Sequence, residues 1–343
     1  MIRRPPRSTQ GVSSAASDVY KRQEASAILK AGDLANGSSL YVTLEPCSHF
    51  GRTGPCVQTI ISAGIKKVHA SLIDPDPRVN GLGIEILRES GVEVVVGEMG
   101  DKAQKVMEPH VKLMETGLPL VTVKFAASLD GKIATVSGES QWITGEEARG
   151  VAHSMRSVTD SIMVGIGTVL ADNPRLTARY NQSSDVRQPI RIIVDSNSRT
   201  PTDSAMFSEA GQTFIATLKT AKEADWPSNV TNLRIGDDVG KVDLLALLED
   251  LAEIPVSSVL VEGGSQLIGS LFDLHLVDKV AAFIAPVIIG GDESLSAVGG
   301  EGAFMMKQIS RLSNVTVENV GDDFLITGAV SYTHLTLPTI LLV

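Results

Sequence analysis

The sequence predicts an α/β protein built as two successive units. Three observations carry that reading. From residue 24 onward, short runs rich in Val, Ile and Leu alternate with segments of helical period, the order that parallel sheets covered by helices require. The punctuated stretch Thr116-Gly117-Leu118-Pro119 interrupts the alternation about a third of the way along. The 343 residues, 43% hydrophobic and 20% charged, suffice for two globular cores.

The elements follow in order. Glu24 to Ala31 reads as a short helix ended by Gly32, and Leu40 to Thr43 as an apolar strand. Pro55 suits the first turn of a helix running to Ala63, with Gly64 as its stop. Lys67 to Ile73 predicts a strand, Ile84 to Glu89 a helix, Val92 to Val96 a strand, and Asp101 to Glu115 a helix. In the second unit, strands are expected at Leu120 to Phe125, Ser161 to Val164, Arg191 to Val194, Thr213 to Thr217 and Val259 to Glu262. Helices are expected at Thr144 to Met155, Val242 to Leu251 and Gln266 to Asp273. The last third is strand-rich at Val280 to Ile289, Val315 to Val320 and Asp323 to Ile326, with no helical segment between, so an antiparallel edge is expected.

Composition narrows the function. A net charge of -10 opposes a nucleic-acid partner, because phosphate neutralisation supplies most of that affinity. No apolar run reaches the length of a membrane span. Two cysteines in so long a chain point to a reducing compartment, hence the cytoplasm, and not to a disulfide scaffold.

The two ends stand apart. Residues 1–23 carry five Lys or Arg, one Asp and no amphipathic period. That string and residues 331–343, opening Ser331-Tyr332-Thr333-His334, resemble translated sequencing-adapter DNA, so both are expected to be non-native, a disordered lead or an organelle transit peptide being the other readings of residues 1–23. The expected division is thus 1–23 lead, 24–115 first domain, 116–330 second domain and 331–343 tail.

The chemistry of the first unit centres on Cys47 and Cys56, in the run Leu44-Glu45-Pro46-Cys47-Ser48-His49 through Pro55-Cys56. Cys47 follows a strand directly and Cys56 opens a helix, where partial positive charge favours thiolate. Two such thiolates can hold zinc, and Glu24 is positioned to shuttle protons. Zinc deaminases place a His two residues before that Glu; here Arg22 stands there. His49 lies only two residues from Cys47 and reads as a pocket-lining residue in preference to a ligand.

The second unit offers three loops. Lys124 to Lys132 is a strand ending in an Asp-Gly turn. Gly165-Ile166-Gly167 follows a strand, but Leu170 occupies the third glycine position, so as a dinucleotide fingerprint it is weak. Val261-Glu262-Gly263-Gly264-Ser265 runs from a strand into a helix start whose free amides can cradle phosphate. Arg156 and Arg179 are of the type that holds phosphate bidentately. Ser196 suits a cofactor 2′-phosphate, while neighbouring Asp195 would suit the ribose hydroxyls of NAD.

Glu24-Ala25, Thr43 to His49, Gly51-Arg52-Thr53, Pro55-Cys56 and Asp74-Pro75-Asp76-Pro77 resemble the deaminase half of the bifunctional riboflavin-biosynthesis deaminase/reductase family. The loops above, with Ser140 to Thr144, resemble its reductase half from about Leu118 to Gly328. The resemblance implies a truncated cytidine-deaminase-like domain followed by a dihydrofolate-reductase-like α/β domain. It implies one zinc ion on Cys47, Cys56 and an upstream His that is absent here, so zinc binding is expected to be weak or lost, with Glu24 as the proton donor. It places NADPH on Ala126, Trp142, Thr168, Asp172 and Ser196. Further NADPH contacts fall on Gly264, Ser265, Gln266, Leu267, Ile268, Gly269 and Ser270. Substrate contacts fall on Ser140, Arg156, Leu176, Arg179 and Glu262.

The implied reactions are deamination of a diamino-ribosylaminopyrimidinone phosphate, impaired in this chain, and NADPH-dependent reduction of 5-amino-6-(5-phosphoribosylamino)uracil to its ribitylamino product. Lys124 and Glu262 are both candidates for the proton of ring opening. The implied partners are small ribosylaminopyrimidine phosphates, with no nucleic acid and no membrane, and homo-oligomerisation is compatible with the sequence. The close alternative is a reductase with a degenerate zinc domain. An editing deaminase is opposed by the spacing of the two cysteines, and a zinc-stabilised binding module predicts four protein ligands and no NADPH affinity.

Overall fold

The computed structural model describes residues 23–49, 54–179, 186–236, 240–254 and 256–332. The chain divides chiefly between Leu118 and Pro119 into two compact units. In the first, strands β1 (Ser39–Leu44), β2 (Lys67–Leu72) and β3 (Glu93–Val96) form a parallel sheet in the order β1-β2-β3. Helices α1 (Gln23–Ala31), α2 (Cys56–Ser62), α3 (Leu82–Glu89) and α4 (Gly100–Thr116) alternate with them. Val57, Ile60, Ile65, Val68, Leu87 and Val92 make the core, so the apolar sides of α2 and α3 are buried against β2.

The second unit is a nine-stranded sheet. Its strands are β4 (Leu120–Ser128), β5 (Ser161–Gly165), β6 (Ile190–Val194), β7 (Thr213–Thr217), β8 (Val230–Arg234) and β9 (Ser258–Glu262), then β10 (Lys279–Ala285), β11 (Arg311–Val320) and β12 (Asp323–Ser331). The order is β11-β12-β10-β4-β9-β5-β6-β7-β8, with β12 antiparallel to both neighbours and every other pairing parallel. The expected parallel sheet with an antiparallel edge is therefore present. Helices α5 (Glu146–Val158), α6 (Ile166–Asp172), α7 (Leu244–Glu253) and α8 (Ser265–Asp273) complete the unit.

Strands β5, β6 and β7 are short and buried on both faces, which is why they read as continuous apolar runs. Two elements differ from the sequence expectation. The segment after Gly165 forms helix α6 where a loop was expected, and β8, Val-Thr-Asn-Leu-Arg, is too polar to be legible as a strand. The first residues of the expected tail are ordered into the sheet edge: Ser331 pairs with Arg311, and the Tyr332 hydroxyl donates to the Val277 carbonyl at 2.9 Å.

Two buried charges brace the sheet, Arg191 at the amino ends of β6 and β7 and Asp323 at the start of β12. Arg191, fully buried on β6, donates to Thr213 Oγ1 and to the carbonyls of Glu209, Ala210 and Gly211, closing the turn before β7. Asp323 of β12 accepts the Gly145 amide at 2.7 Å, so a carboxylate sits at the positive end of α5 and sets where that helix starts.

Candidate active sites

In the first unit, β1 ends at Leu44 and delivers Glu45-Pro46-Cys47 to the carboxyl end of the sheet. Glu45 is buried, and its carboxylate accepts four amides: Gly81 at 2.8 Å, Gly83 at 2.8 Å, Asp74 at 3.3 Å and Ile84 at 3.3 Å. It thereby ties the 74–84 loop to the cysteine motif. A side chain at Gly83 would collide with the Pro46 carbonyl, so the loop packs there only as glycine.

Cys56 opens α2, and its amide donates to Cys47 Sγ at 3.4 Å. A hydrogen bond with Cys47, burial and the nearby Glu24 charge together push the Cys56 thiol well above the usual range. Cys47, Cys56 and Glu24 are therefore together, as the sequence suggested. A third ligand is not among them. Arg22 lies outside the described residues, and His49 has a buried Nδ1 with no hydrogen-bond partner among the described residues. Among the described residues no group of three or more His, Cys, Asp or Glu side chains is arranged to hold a metal. Two thiols alone do not fit a catalytic zinc, which requires three protein ligands and one open position.

In the second unit the loops gather where the parallel strands β4, β5, β6 and β9 end, the place where open α/β sheets keep their sites. Lys124 on β4 and Glu262 on β9 are register partners. Arg156, from the last turn of α5, donates to Glu262 through Nε at 2.6 Å and Nη2 at 2.8 Å, and to the Thr177 carbonyl through Nη1 at 3.1 Å. Lys124 Nζ lies 3.7 Å from Glu262 Oε2 and 5.6 Å from the centre of the Phe283 ring. Burial alone would raise the Glu262 pKa. The Arg156 and Lys124 charges outweigh that and pull it down to about 2, so the group is a fixed carboxylate.

The sequence reading of Arg156 as a bidentate phosphate holder is corrected here, because its fork is engaged by Glu262. Arg179 is exposed. Leu176, before it, is buried with φ of 52°, and the Gln188 side chain bonds both the Ala178 amide and carbonyl at 3.0 Å.

The cofactor candidates differ in exposure and packing. Trp142 is 70% exposed, with the Arg149 guanidinium 4.4 Å from its ring centre. Thr168 packs on Gly263 and Gly264, whose φ values of 90° and 82° suit glycine alone, and a Cβ on Gly263 would meet Thr168 Oγ1 at 3.3 Å. Ser265 begins α8, and Gln266 is exposed, whereas Leu267 and Ile268 put their side chains in the core and Gly269 is buried against the Gly299 backbone.

Ser140 hydrogen-bonds Asp172, although burial dominates and raises the Asp172 pKa. Ala126 packs beside the Phe283 cluster. Ser196 Oγ accepts the Val242 amide at 3.2 Å. Asp195 is fully buried and spends Oδ2 on the Thr200 amide at 2.7 Å and hydroxyl at 2.8 Å, so its carboxylate is turned inward.

Sequence reasoning missed Arg149 and His153. Arg149, His153 and Arg156 recur at i, i+4 and i+7 on α5, one stripe of one helix. That spacing was the available signal.

A cysteine-bearing deaminase-like unit followed by a sheet with a Gly-Gly helix start and a Lys-Glu-Arg cluster defines a two-domain α/β enzyme of the deaminase/reductase class. Residues 119–326 match the RibD C-terminal domain, and residues 12–72 match the cytidine and deoxycytidylate deaminase zinc-binding region. The riboflavin biosynthesis protein RibD of Bacillus amyloliquefaciens is 40% identical over 309 residues, covering 89% of this chain and 82% of that protein. Acinetobacter baumannii RibD superposes with a TM-score of 0.79 at 31% identity, covering 90% of this chain and 85% of its own. The diaminohydroxyphosphoribosylaminopyrimidine deaminase/5-amino-6-(5-phosphoribosylamino)uracil reductase of Thermotoga maritima gives 0.74 at 32% identity, covering 91% and 84%. The chain belongs to the RibD family of bifunctional riboflavin-biosynthesis enzymes. The cofactors of that family are zinc in its deaminase half and NADPH in its reductase half. Among the described residues no helix is long and apolar enough to cross a membrane.

Proposed function

We propose that this chain reduces 5-amino-6-(5-phosphoribosylamino)uracil to its ribitylamino product with NADPH, and that its zinc-dependent deamination of the preceding pyrimidine is impaired. The observation that carries the reading is the Lys124–Glu262–Arg156 cluster beside the Gly263-Gly264 helix start. NADPH, when bound, supplies a hydride. Ala126, Trp142, Thr168, Asp172, Ser196 and the loop from Gly264 to Ser270 would hold it, the loop through backbone amides at its start and not through the buried side chains of Leu267 and Ile268. Asp195 is fully buried with Oδ2 committed to Thr200, so its carboxylate is not presented to a ribose 2′-hydroxyl as an NADH site would require, which supports NADPH.

Ser140, Leu176, Arg179, Glu262 and the Arg156 that braces it would form the substrate pocket, with Arg179 on the phosphate. Hydride addition at ribose C1′ breaks the C1′–O4′ bond and leaves an electron pair on O4′, which needs a proton. Glu262, ionised and fixed by Arg156, has none to give; Lys124, with Nζ 3.7 Å from Glu262 Oε2, is the donor this reading assigns. The chain otherwise works by orientation. Its partners are small ribosylaminopyrimidine phosphates, not nucleic acid, and it acts in the cytoplasm with neither cysteine in a disulfide. Expected on mixing protein, NADPH and this substrate is NADPH consumption that stops without substrate; consumption with NADH at an equal rate would contradict the cofactor assignment.

A further inference from the structure

His153 lies within the substrate half of the second unit yet contacts no group that the reaction uses directly. Its position on α5 is three residues before Arg156 and four after Arg149, so it shares their face. Its Nδ1 is 3.0 Å from the Thr177 carbonyl. A carbonyl only accepts, which assigns the proton to Nδ1. The same carbonyl takes Arg156 Nη1 at 3.1 Å, so one buried oxygen is held by two donors from one helix.

Thr177 sits between Leu176, whose backbone is in the left-handed region, and Ala178, which Gln188 grips at both its amide and its carbonyl. Arg179 follows immediately. A non-glycine residue in left-handed backbone costs on the order of 1 kcal/mol and persists only where its surroundings hold it. Here the holding contacts are the Leu176 side chain, buried in the core cluster with Ile162, Val164 and Val169, and the hydrogen bonds at Thr177 and Ala178. Burial, then the charges of Arg156 and Arg179, lower the His153 pKa, with the Thr177 hydrogen bond and then Glu262 opposing, so the neutral ring is favoured and adds no third cation to the pair.

We propose that His153 is a positioning residue for the ribose phosphate: by donating to Thr177 it fixes the 176–179 segment so that Arg179 meets the phosphate. This rests on the reading of Arg179 as the phosphate holder. His153 acts through Arg179 and touches neither substrate nor cofactor, so its effect falls on KM for phosphorylated substrate and not on kcat.

The test compares 5-amino-6-(5-phosphoribosylamino)uracil with its phosphate-free ribosyl analogue, using the full chain. Wild type is expected to favour the phosphorylated compound. His153→Leu raises KM for it about tenfold, the value of one lost ~1.4 kcal/mol interaction. Its kcat, its NADPH affinity and its KM for the analogue stay within twofold. His153→Asn, which keeps an N–H donor, restores most of the loss. An unchanged KM in His153→Leu, or an equal rise for both substrates, overturns the assignment while leaving the phosphate reading intact. A wild type that does not discriminate between the two overturns the phosphate reading and the His153 assignment together.

Discussion

Arg156 grips both carboxylate oxygens of Glu262, at 2.6 and 2.8 Å, across 106 residues of sequence. The pair is almost wholly enclosed, with side-chain exposures of 16% and 7%. Removing one member of such a pair strands the other charge. Arg156→Ala is therefore expected to lower the stability of the second unit by roughly 3–5 kcal/mol. Arg156→Met with Glu262→Gln, which removes both charges, recovers much of that loss in thermal unfolding.

The same pair dictates acid behaviour. Glu262 has its pKa depressed from 4.5 to about 2 in the folded state, so it binds protons more readily when unfolded. Its stabilising contribution is whole above pH ~4.5, declines as pH falls, and is gone below ~2. Thermal midpoints measured between those limits fall more steeply for wild type than for Glu262→Gln.

Lys124 is the proposed proton donor. Lys124→Met is expected to lower kcat by about 10²- to 10⁴-fold, the range for loss of a general acid, with NADPH affinity unchanged. Stopped-flow single turnovers separate the two; a lowered NADPH affinity with normal kcat would assign Lys124 to binding instead.

Asp195 anchors a turn and does not choose the cofactor. Asp195→Ala costs about 2 kcal/mol from lost charge-assisted hydrogen bonds to Thr200, read as a lower unfolding midpoint. The NADPH-to-NADH ratio of kcat/KM stays within twofold of wild type.

The cysteine pair supplies two of the three protein ligands a catalytic zinc requires. Purified protein is expected to carry well under one zinc per chain and to show no deamination, by elemental analysis and ammonia release. Arg22→His supplies the missing donor type two residues before Glu24 and should raise both.

Much of this was legible in the chain. The buried parallel strands announced themselves as unbroken apolar runs, as at Ser161-Ile162-Met163-Val164, because both faces are covered. Cys47, Cys56 and Glu24 could be grouped from motif spacing, and the structure brings them together. Partners remote in sequence were not legible. Arg156 looked like a free phosphate fork because nothing local reveals that β9 carries Glu262 to it. Asp195 looked like a ribose acceptor because its inward turn depends on Thr200. Helix α6 was hidden by glycines that suggested a loop, and the short polar strand β8 is held by pairing with β7 and not by its own pattern.

The central claim is that the second unit delivers a hydride to ribose C1′. The direct measurement is mass spectrometry of the product formed from 5-amino-6-(5-phosphoribosylamino)uracil and C4-deuterated NADPH, with each C4 position labelled in turn. The account predicts a ribitylamino product carrying deuterium at C1′ from one of the two labels, and none formed by Arg179→Ala at limiting substrate. Folded protein that binds NADPH but yields no labelled product, or a label at any other carbon, would contradict it.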